Sequence, residues 1–166
     1  SDEPIYGFGK HYDVLVVLKK RELLAVQYTW NGTVGVFSSY PINSQYGCDC
    51  PNTIQTINNC LVWLNSSEGV CILVGTTVSA QRNAFTISRN IDPRLMLESN
   101  LSTATSADFD GKYWLCVNDK VYVWDYYISP YTDTGNPDTS ASLLSWWYFD
   151  TINSADFISD ANNFYY

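Results

Sequence analysis

The chain has 166 residues, of which 46% are hydrophobic, 16% aromatic and only 16% charged. This composition excludes an intrinsically disordered chain, and the length allows one domain or roughly three and a half repeats of about 50 residues. The formal net charge of −8 excludes nucleic-acid binding through a basic surface, because few cations would neutralise the phosphate backbone. No run approaches the roughly 20 apolar residues of a membrane span, so no membrane contact is expected.

The first third of the chain predicts an antiparallel meander. An edge strand is expected over 5–8, followed by strands over 13–18, 23–28 and 33–38, with turns at Lys20-Arg21 and Asn31-Gly32. Asn-Gly between apolar runs is a strong hairpin signal. The alternative is a helix over 15–27, because KKRELLA at 19–25 is rich in helix-forming residues.

The middle of the chain predicts a second group of strands after a loop over 40–52. A lead-in strand is expected over 53–57, a hairpin over 60–64 and 70–74, and a third strand over 85–87. A short helix is predicted over 94–99, with Asp92 as N-cap and Pro93 in the first turn. A polar linker over 102–106 follows.

Residues 106–125 predict a complete unit of three strands. A lead-in strand ends at an Asp110-Gly111 turn. Two aromatic and β-branched runs follow, and an Asn118-Asp119 turn separates them. Pairing across the second turn sets Lys112 opposite Asp125. Because side chains alternate between faces, both faces are apolar: one carries Trp114, Cys116, Val121 and Val123, and the other carries Tyr113, Leu115, Tyr122 and Trp124. Such a sheet must be covered on both sides.

This unit recurs along the chain. The tetrapeptide SADF occurs at 106–109 and again at 154–157, and apolar runs start at Val14, Leu61, Tyr113 and Phe164, in steps of 47, 52 and 51 residues. After a loop over 129–139, an outer strand is expected over 143–149. We therefore predict one all-β segment over 1–166, a β-propeller-like array of antiparallel three- to four-stranded blades at 10–52, 53–104 and 105–153 with a partial blade at 154–166. Such an array is either an incomplete propeller or a fragment.

Few residues suggest chemistry. His11 is the lone histidine. The five cysteines are predicted to be free thiols. In the expected hairpin Cys71 lies opposite Leu64, which is too far from Cys60 for a disulfide. The acidic segments 108–111 and 133–138 fit turns and loops better than cation sites. We predict no enzyme, no catalytic residue, no metal site and no cofactor. Trp146, Trp147 and Tyr148 are the candidate ligand-stacking residues, the alternative being that they pack within the array.

Several short motifs resemble virion structural proteins of tailed bacteriophages and prophages, in particular propeller-like proteins of the tail or neck. They are DVLVVLKKR at 13–21, FTISRNI at 85–91, GKYWL at 111–115 and KVYVWD at 120–125. The resemblance implies a structural protein of the virion, assembled in the bacterial cytoplasm, that binds other virion proteins or copies of itself as a homo-oligomer or part of a larger chain. The alternative is a carbohydrate-binding module that recognises host-cell glycans through exposed tryptophan and tyrosine.

Overall fold

The fold is that of a computed structural model, which describes residues 3–76, 83–152, 156–160 and 162–166. Three four-stranded antiparallel sheets, each with its strands in chain order, precede a two-stranded hairpin. The first sheet contains β1 (Ile5–His11), β2 (Val14–Lys19), β3 (Leu23–Trp30) and β4 (Gly35–Asn43). The second contains β5 (Gln55–Ile57), β6 (Cys60–Asn65), β7 (Gly69–Leu73) and β8 (Ala84–Thr86).

The third sheet contains β9 (Thr105–Phe109), β10 (Lys112–Val117), β11 (Lys120–Asp125) and β12 (Trp146–Phe149). The terminal hairpin contains β13 (Ile158–Ser159) and β14 (Phe164–Tyr165). Two short helices, α1 (Asp92–Leu95) and α2 (Pro137–Ser142), connect strands. The prediction of an all-β chain with repeated antiparallel sheets is confirmed. The division into repeats at 10–52, 53–104, 105–153 and 154–166 stays a prediction, and Ser154 and Ala155 of the repeated tetrapeptide lie outside the described residues.

The alternative prediction of a helix over 15–27 is wrong, because this segment forms the paired strands β2 and β3. Val16 lies opposite Ala25, and Leu18 lies opposite Leu23. All four side chains are fully buried. Burial of an alternating apolar pattern therefore outweighs the local preference of KKRELLA for helix.

The predicted register of the central hairpin is confirmed. Lys112 lies opposite Asp125, and Cys116 lies opposite Val121. The turn before β10 places Asp110 at φ 49° and Gly111 at φ 71°, and the turn after it places Asn118 at φ 58°. Asp, Asn and Gly tolerate this left-handed backbone region, so the two turn dipeptides set the strand ends.

Three apolar layers hold the sheets face to face. The layer between the first and second sheets contains Val16, Leu18, Leu23, Ala25, Ile42, Leu61, Trp63, Cys71 and Leu73. The layer between the second and third sheets contains Ile57, Val62, Leu64, Val70, Ile72, Tyr113, Leu115, Val117, Tyr122 and Trp124. The opposite face of the third sheet packs Ala107, Trp114, Cys116, Val121 and Val123 against Phe157 and Phe164. The face of the central hairpin towards the second sheet is thus covered, and the terminal hairpin covers part of the opposite face.

The sheets approach one another most closely along their first strands. Strand β5 contacts both β1 and β9. The Thr56 hydroxyl of β5 donates to the carbonyl of Lys10 at 3.1 Å, and the Gln55 side-chain amide donates to the carbonyl of Ser106 at 2.9 Å. One edge of all three sheets is therefore joined.

Two predicted segments near the first and second sheets need correction. Strand β4 continues to Asn43, so the loop expected over 40–52 begins later. In the second hairpin Cys71 lies opposite Trp63, not Leu64. The connection has three residues, not four, because the Asn65 side chain accepts from the amides of Ser67 and Glu68 and the strand resumes at Gly69. No disulfide joins any of the five cysteines, all of which are described.

Two helical segments also differ from the prediction. Helix α1 begins at Asp92, whose carboxylate accepts from the Ser88 hydroxyl at 2.6 Å, so Asp92 does not serve as N-cap. Helix α2 occupies the end of the segment expected as a loop and extends to Ser142, directly before the expected outer strand. Its N-cap is Asn136, whose side chain accepts from two backbone amides, and Pro137 follows in the first turn. The outer strand is consequently limited to β12.

His11 is buried at the end of β1, and we expect it to make stability depend on pH. Burial lowers the pKa of its imidazole from 6.5, and Nδ1 finds no hydrogen-bond partner among the described residues. Since the unfolded chain binds the proton more readily, the free energy of unfolding should be greatest above pH 6.5 and decrease as pH falls through the folded pKa. Urea denaturation of the protein and of His11→Asn between about pH 5 and pH 7 tests this. An equally steep pH dependence in both proteins would contradict it.

Candidate functional site

The outer face of the first sheet is apolar and exposed. Strand alternation turns Phe8, Leu15, Tyr28 and Phe37 away from the second sheet. These side chains are 60%, 45%, 55% and 74% exposed. The rings of Tyr28 and Phe37 pair across β3 and β4, with centroids 5.0 Å apart. We call this surface, including Trp30 at the end of β3, the first-sheet face.

The distal half of the β3–β4 hairpin extends the first-sheet face. Residues 27–38 are exposed on both sides, apart from the half-buried Gly35. They include Trp30, 62% exposed, and Val36, 47% exposed, and no Asp, Glu, Lys or Arg occurs in this segment. An uncharged aromatic hairpin with this exposure resembles a binding surface more than an ordinary solvated loop.

The opposite end of the array carries an apolar groove of about 260 Å³. We call it the third-sheet groove; it is lined by Lys112, Trp114, Val123, Asp125, Ile128, Trp147 and Phe149. The terminal hairpin covers the neighbouring part of the same sheet face, where Phe164 lies 5.1 Å from Phe109 and 4.9 Å from Trp114 between ring centroids. The groove is the part of this face that the hairpin leaves uncovered.

Asp125 shapes the rim of the third-sheet groove. Its carboxylate accepts from the backbone amides of Tyr127 at 3.1 Å and Ile128 at 3.0 Å. It also lies 3.8 Å from the ammonium of Lys112, as the predicted cross-strand pair requires. These contacts fix the turn that brings Ile128, 72% exposed, to the groove.

The three candidate ligand-stacking residues do not share one surface. Trp146 stacks on Trp124 at 6.3 Å and donates its indole N–H to the carbonyl of Ile87. Tyr148 packs against Tyr122, with the guanidinium carbon of Arg94 4.1 Å from its ring centroid. Only Trp147, 54% exposed, presents its ring to the third-sheet groove. Whether any of the three stacks on a ligand stays a prediction.

Charge is distributed unevenly between the two ends. Residues 105–166 contain nine Asp and two Lys, whereas residues 1–52 contain five acidic and four basic residues. Asp110, Asp150 and Asp160 are exposed near the third sheet and the terminal hairpin. Lys20 and Arg21 are exposed at the β2–β3 turn of the first sheet. The third-sheet end is therefore strongly acidic, and the first-sheet end is nearly neutral.

The Cys48 thiol is buried, and the aspartates of the loop over 133–138 have partners within the chain. Burial raises the pKa of the Cys48 thiol to about 12, so its thiolate is scarce at neutral pH. Asp133 accepts from the amide of Gly135, and Asp138 pairs with Arg89 at 2.7 Å. In the described ranges, no three His, Cys, Asp or Glu side chains group as metal ligands do.

The sequence alone indicated Trp147 but not the rest of these surfaces. The uncharged run over 27–38, with aromatic residues at alternate positions, was the available signal for the first-sheet face. Neither helix in the described chain is both long and apolar enough to cross a membrane. No protein-family model matches the chain, and a search of curated proteins found no match. Function is therefore inferred from the chain's own motifs and surfaces.

Proposed function

We propose that this chain is a structural assembly protein of a tailed-phage or prophage virion and acts through contacts with other proteins. The observation that carries the proposal is the exposure of apolar surface at both ends of the array. Inside the array, faces of the same composition are buried against each other. Contiguous exposed apolar patches mark interaction sites. The motifs at 13–21, 85–91 and 111–125 favour the virion class.

In this proposal the three sheets form an arc of a β-propeller. Its support is the joined edge made by β1, β5 and β9, together with the face-to-face order of the first, second and third sheets. In a propeller, the first strands of successive blades surround a central axis and each blade covers its neighbour. Three sheets leave two faces without a neighbour, so the arc needs additional protein to cover them. The proposal assigns the chain no catalytic activity.

Site-specific photo-cross-linking tests the assembly function. A photoreactive phenylalanine analogue replaces Phe37 in the chain produced in its native cells, and adducts are identified by mass spectrometry. Because Phe37 is 74% exposed on the first-sheet face, we expect adducts with virion structural proteins or with a second copy of the chain.

The matched control places the same analogue at Leu97, which is 85% exposed and belongs to neither end surface. It should give few adducts. Equal labelling from both positions, or no adduct from position 37, would contradict an assembly role for the first-sheet face.

A carbohydrate-binding module is the alternative, and the exposed ring of Trp147 in an apolar groove favours it over other ligand classes. Aromatic faces stack on the apolar faces of sugar rings. A glycan array probed with the protein and with Trp147→Ala distinguishes the two functions. Binding that disappears with Trp147→Ala would support the alternative, whereas the assembly function predicts no specific glycan signal.

A further inference from the structure

We propose that the first-sheet face of one copy packs on the third-sheet groove of a second copy, so that identical chains join head to tail. This inference rests on the proposed assembly function and names its partner. The two surfaces lie on opposite ends of the array and are chemically different. Repetition of one contact therefore produces a ring if the rotation closes, and a filament if it does not.

The contact extends a mode of packing already present within the chain. The inner face of the first sheet packs against the second sheet through Leu18, Ala25 and Trp63. On the outer face of the first sheet, Leu15, Phe37 and their neighbours could contact another sheet in the same way. Sheets that pack face to face lie about 10 Å apart. The third-sheet groove supplies the complementary apolar surface, with Trp147 and Phe149 half-exposed.

Electrostatic repulsion favours the contact between a first-sheet face and a third-sheet groove over a contact between two third-sheet ends. Asp110, Asp150 and Asp160 are exposed near the third sheet and the terminal hairpin, so two such ends repel each other. The first-sheet end combines an uncharged β3–β4 hairpin with exposed Lys10, Lys20 and Arg21, of which Lys10 pairs with Asp13 and Arg21 with Glu3. A nearly neutral surface that faces an acidic one avoids the like-charge repulsion that disfavours a contact between two third-sheet ends.

The size of the surface predicts a reversible contact. Four strands about 4.8 Å apart and roughly 23 Å long present a face of roughly 450 Å² per copy, or about 900 Å² for the pair, near the lower limit of specific interfaces. A single contact should therefore depend on protein concentration. A closed ring, in which every chain makes two contacts, should persist to lower concentration.

Two complementary variants test the head-to-tail arrangement by sedimentation velocity. The first, Phe8→Asp with Phe37→Asp, blocks the first-sheet face; the second, Ile128→Asp with Trp147→Asp, blocks the third-sheet groove. All four side chains are at least 54% exposed, so the fold should be retained, which circular dichroism and thermal unfolding check. The unmodified chain should form an oligomer, and each variant alone should show association weakened by at least about tenfold.

An equimolar mixture of the two variants gives the decisive result. One variant keeps its groove and the other keeps its face, so the mixture should form a one-to-one heterodimer and nothing larger. Leu97→Asp, at a position 85% exposed outside both surfaces, should associate as the unmodified chain does.

Three results would overturn the proposal: a monomeric unmodified chain at every concentration, undiminished association of either blocked variant, or a mixture that stays monomeric while the unmodified chain associates. Undiminished association of one blocked variant would indicate a symmetric contact through the surface that this variant keeps. Cross-linking of position 37 to a different virion protein would leave the assembly function standing while the self-contact fails. Absence of any adduct at that position would remove both.

Discussion

Replacing Trp63 by alanine is expected to lower the free energy of unfolding by about 3–5 kcal/mol. Trp63 is fully buried between the first and second sheets, and its indole N–H donates to the carbonyl of Gly47 at 2.8 Å. The substitution opens a cavity in the layer that joins two sheets. Urea denaturation followed by far-ultraviolet circular dichroism measures the loss without relying on tryptophan fluorescence.

The matched control is Trp30→Ala, measured under dilute conditions. Trp30 is 62% exposed on the first-sheet face, so its removal should change the free energy of unfolding by less than about 0.5 kcal/mol. Losses of similar size in the two variants would show that the layer between the first and second sheets does not stabilise the fold as described.

The second large effect is expected from Gly47→Ala, at about 2–3 kcal/mol of destabilisation. A Cβ at position 47 would overlap the backbone of Lys20 and Arg21, which side-chain rearrangement cannot relieve. The loop is held at this point because the Cys48 amide donates to the carbonyl of Lys19 at 2.8 Å. The Gly47 carbonyl also accepts from the side chains of Trp63 and Asn65. Displacement of the loop would therefore disturb the second sheet as well.

Gly75→Ala provides the control for this prediction. A Cβ at position 75 meets no described atom within 4 Å, so this variant should be as stable as the unmodified protein or slightly more so, because alanine restricts the unfolded chain. Thermal unfolding of the two variants side by side measures the difference. Equal midpoints would show that the loop at Gly47 is not in close contact with the β2–β3 turn.

The central hairpin could be predicted from the sequence because its determinants are local. Asp110, Gly111 and Asn118 occupy left-handed turn positions, and the side chains between the two turns alternate between the faces of the sheet. Register and facing follow from these two features alone. The same local logic correctly favoured strands over a helix for β2 and β3.

Other features depended on contacts that local patterns do not encode. The register error at Cys71 arose because the Asn65 side chain closes a shorter connection by accepting two amides. Helix α2 depends on capping by Asn136 and also packs near β8, far away in sequence. The third-sheet groove depends on which part of the sheet face the terminal hairpin leaves uncovered. Trp147 could therefore be named as a candidate, but which face of β12 is buried followed only from the pairing of β11 with β12.

Nuclear Overhauser contacts of the two buried tryptophans, Trp63 and Trp124, test the stacking of the sheets most directly. If the second sheet is covered by the first sheet on one face and by the third sheet on the other, the Trp63 ring should show contacts to methyl groups of the first sheet, such as Leu18 and Ala25. The Trp124 ring should show contacts to methyl groups of the second sheet, such as Leu64. Absence of contacts between Trp63 and the first sheet, or contacts of Trp63 with the third sheet, would contradict the stacked arrangement.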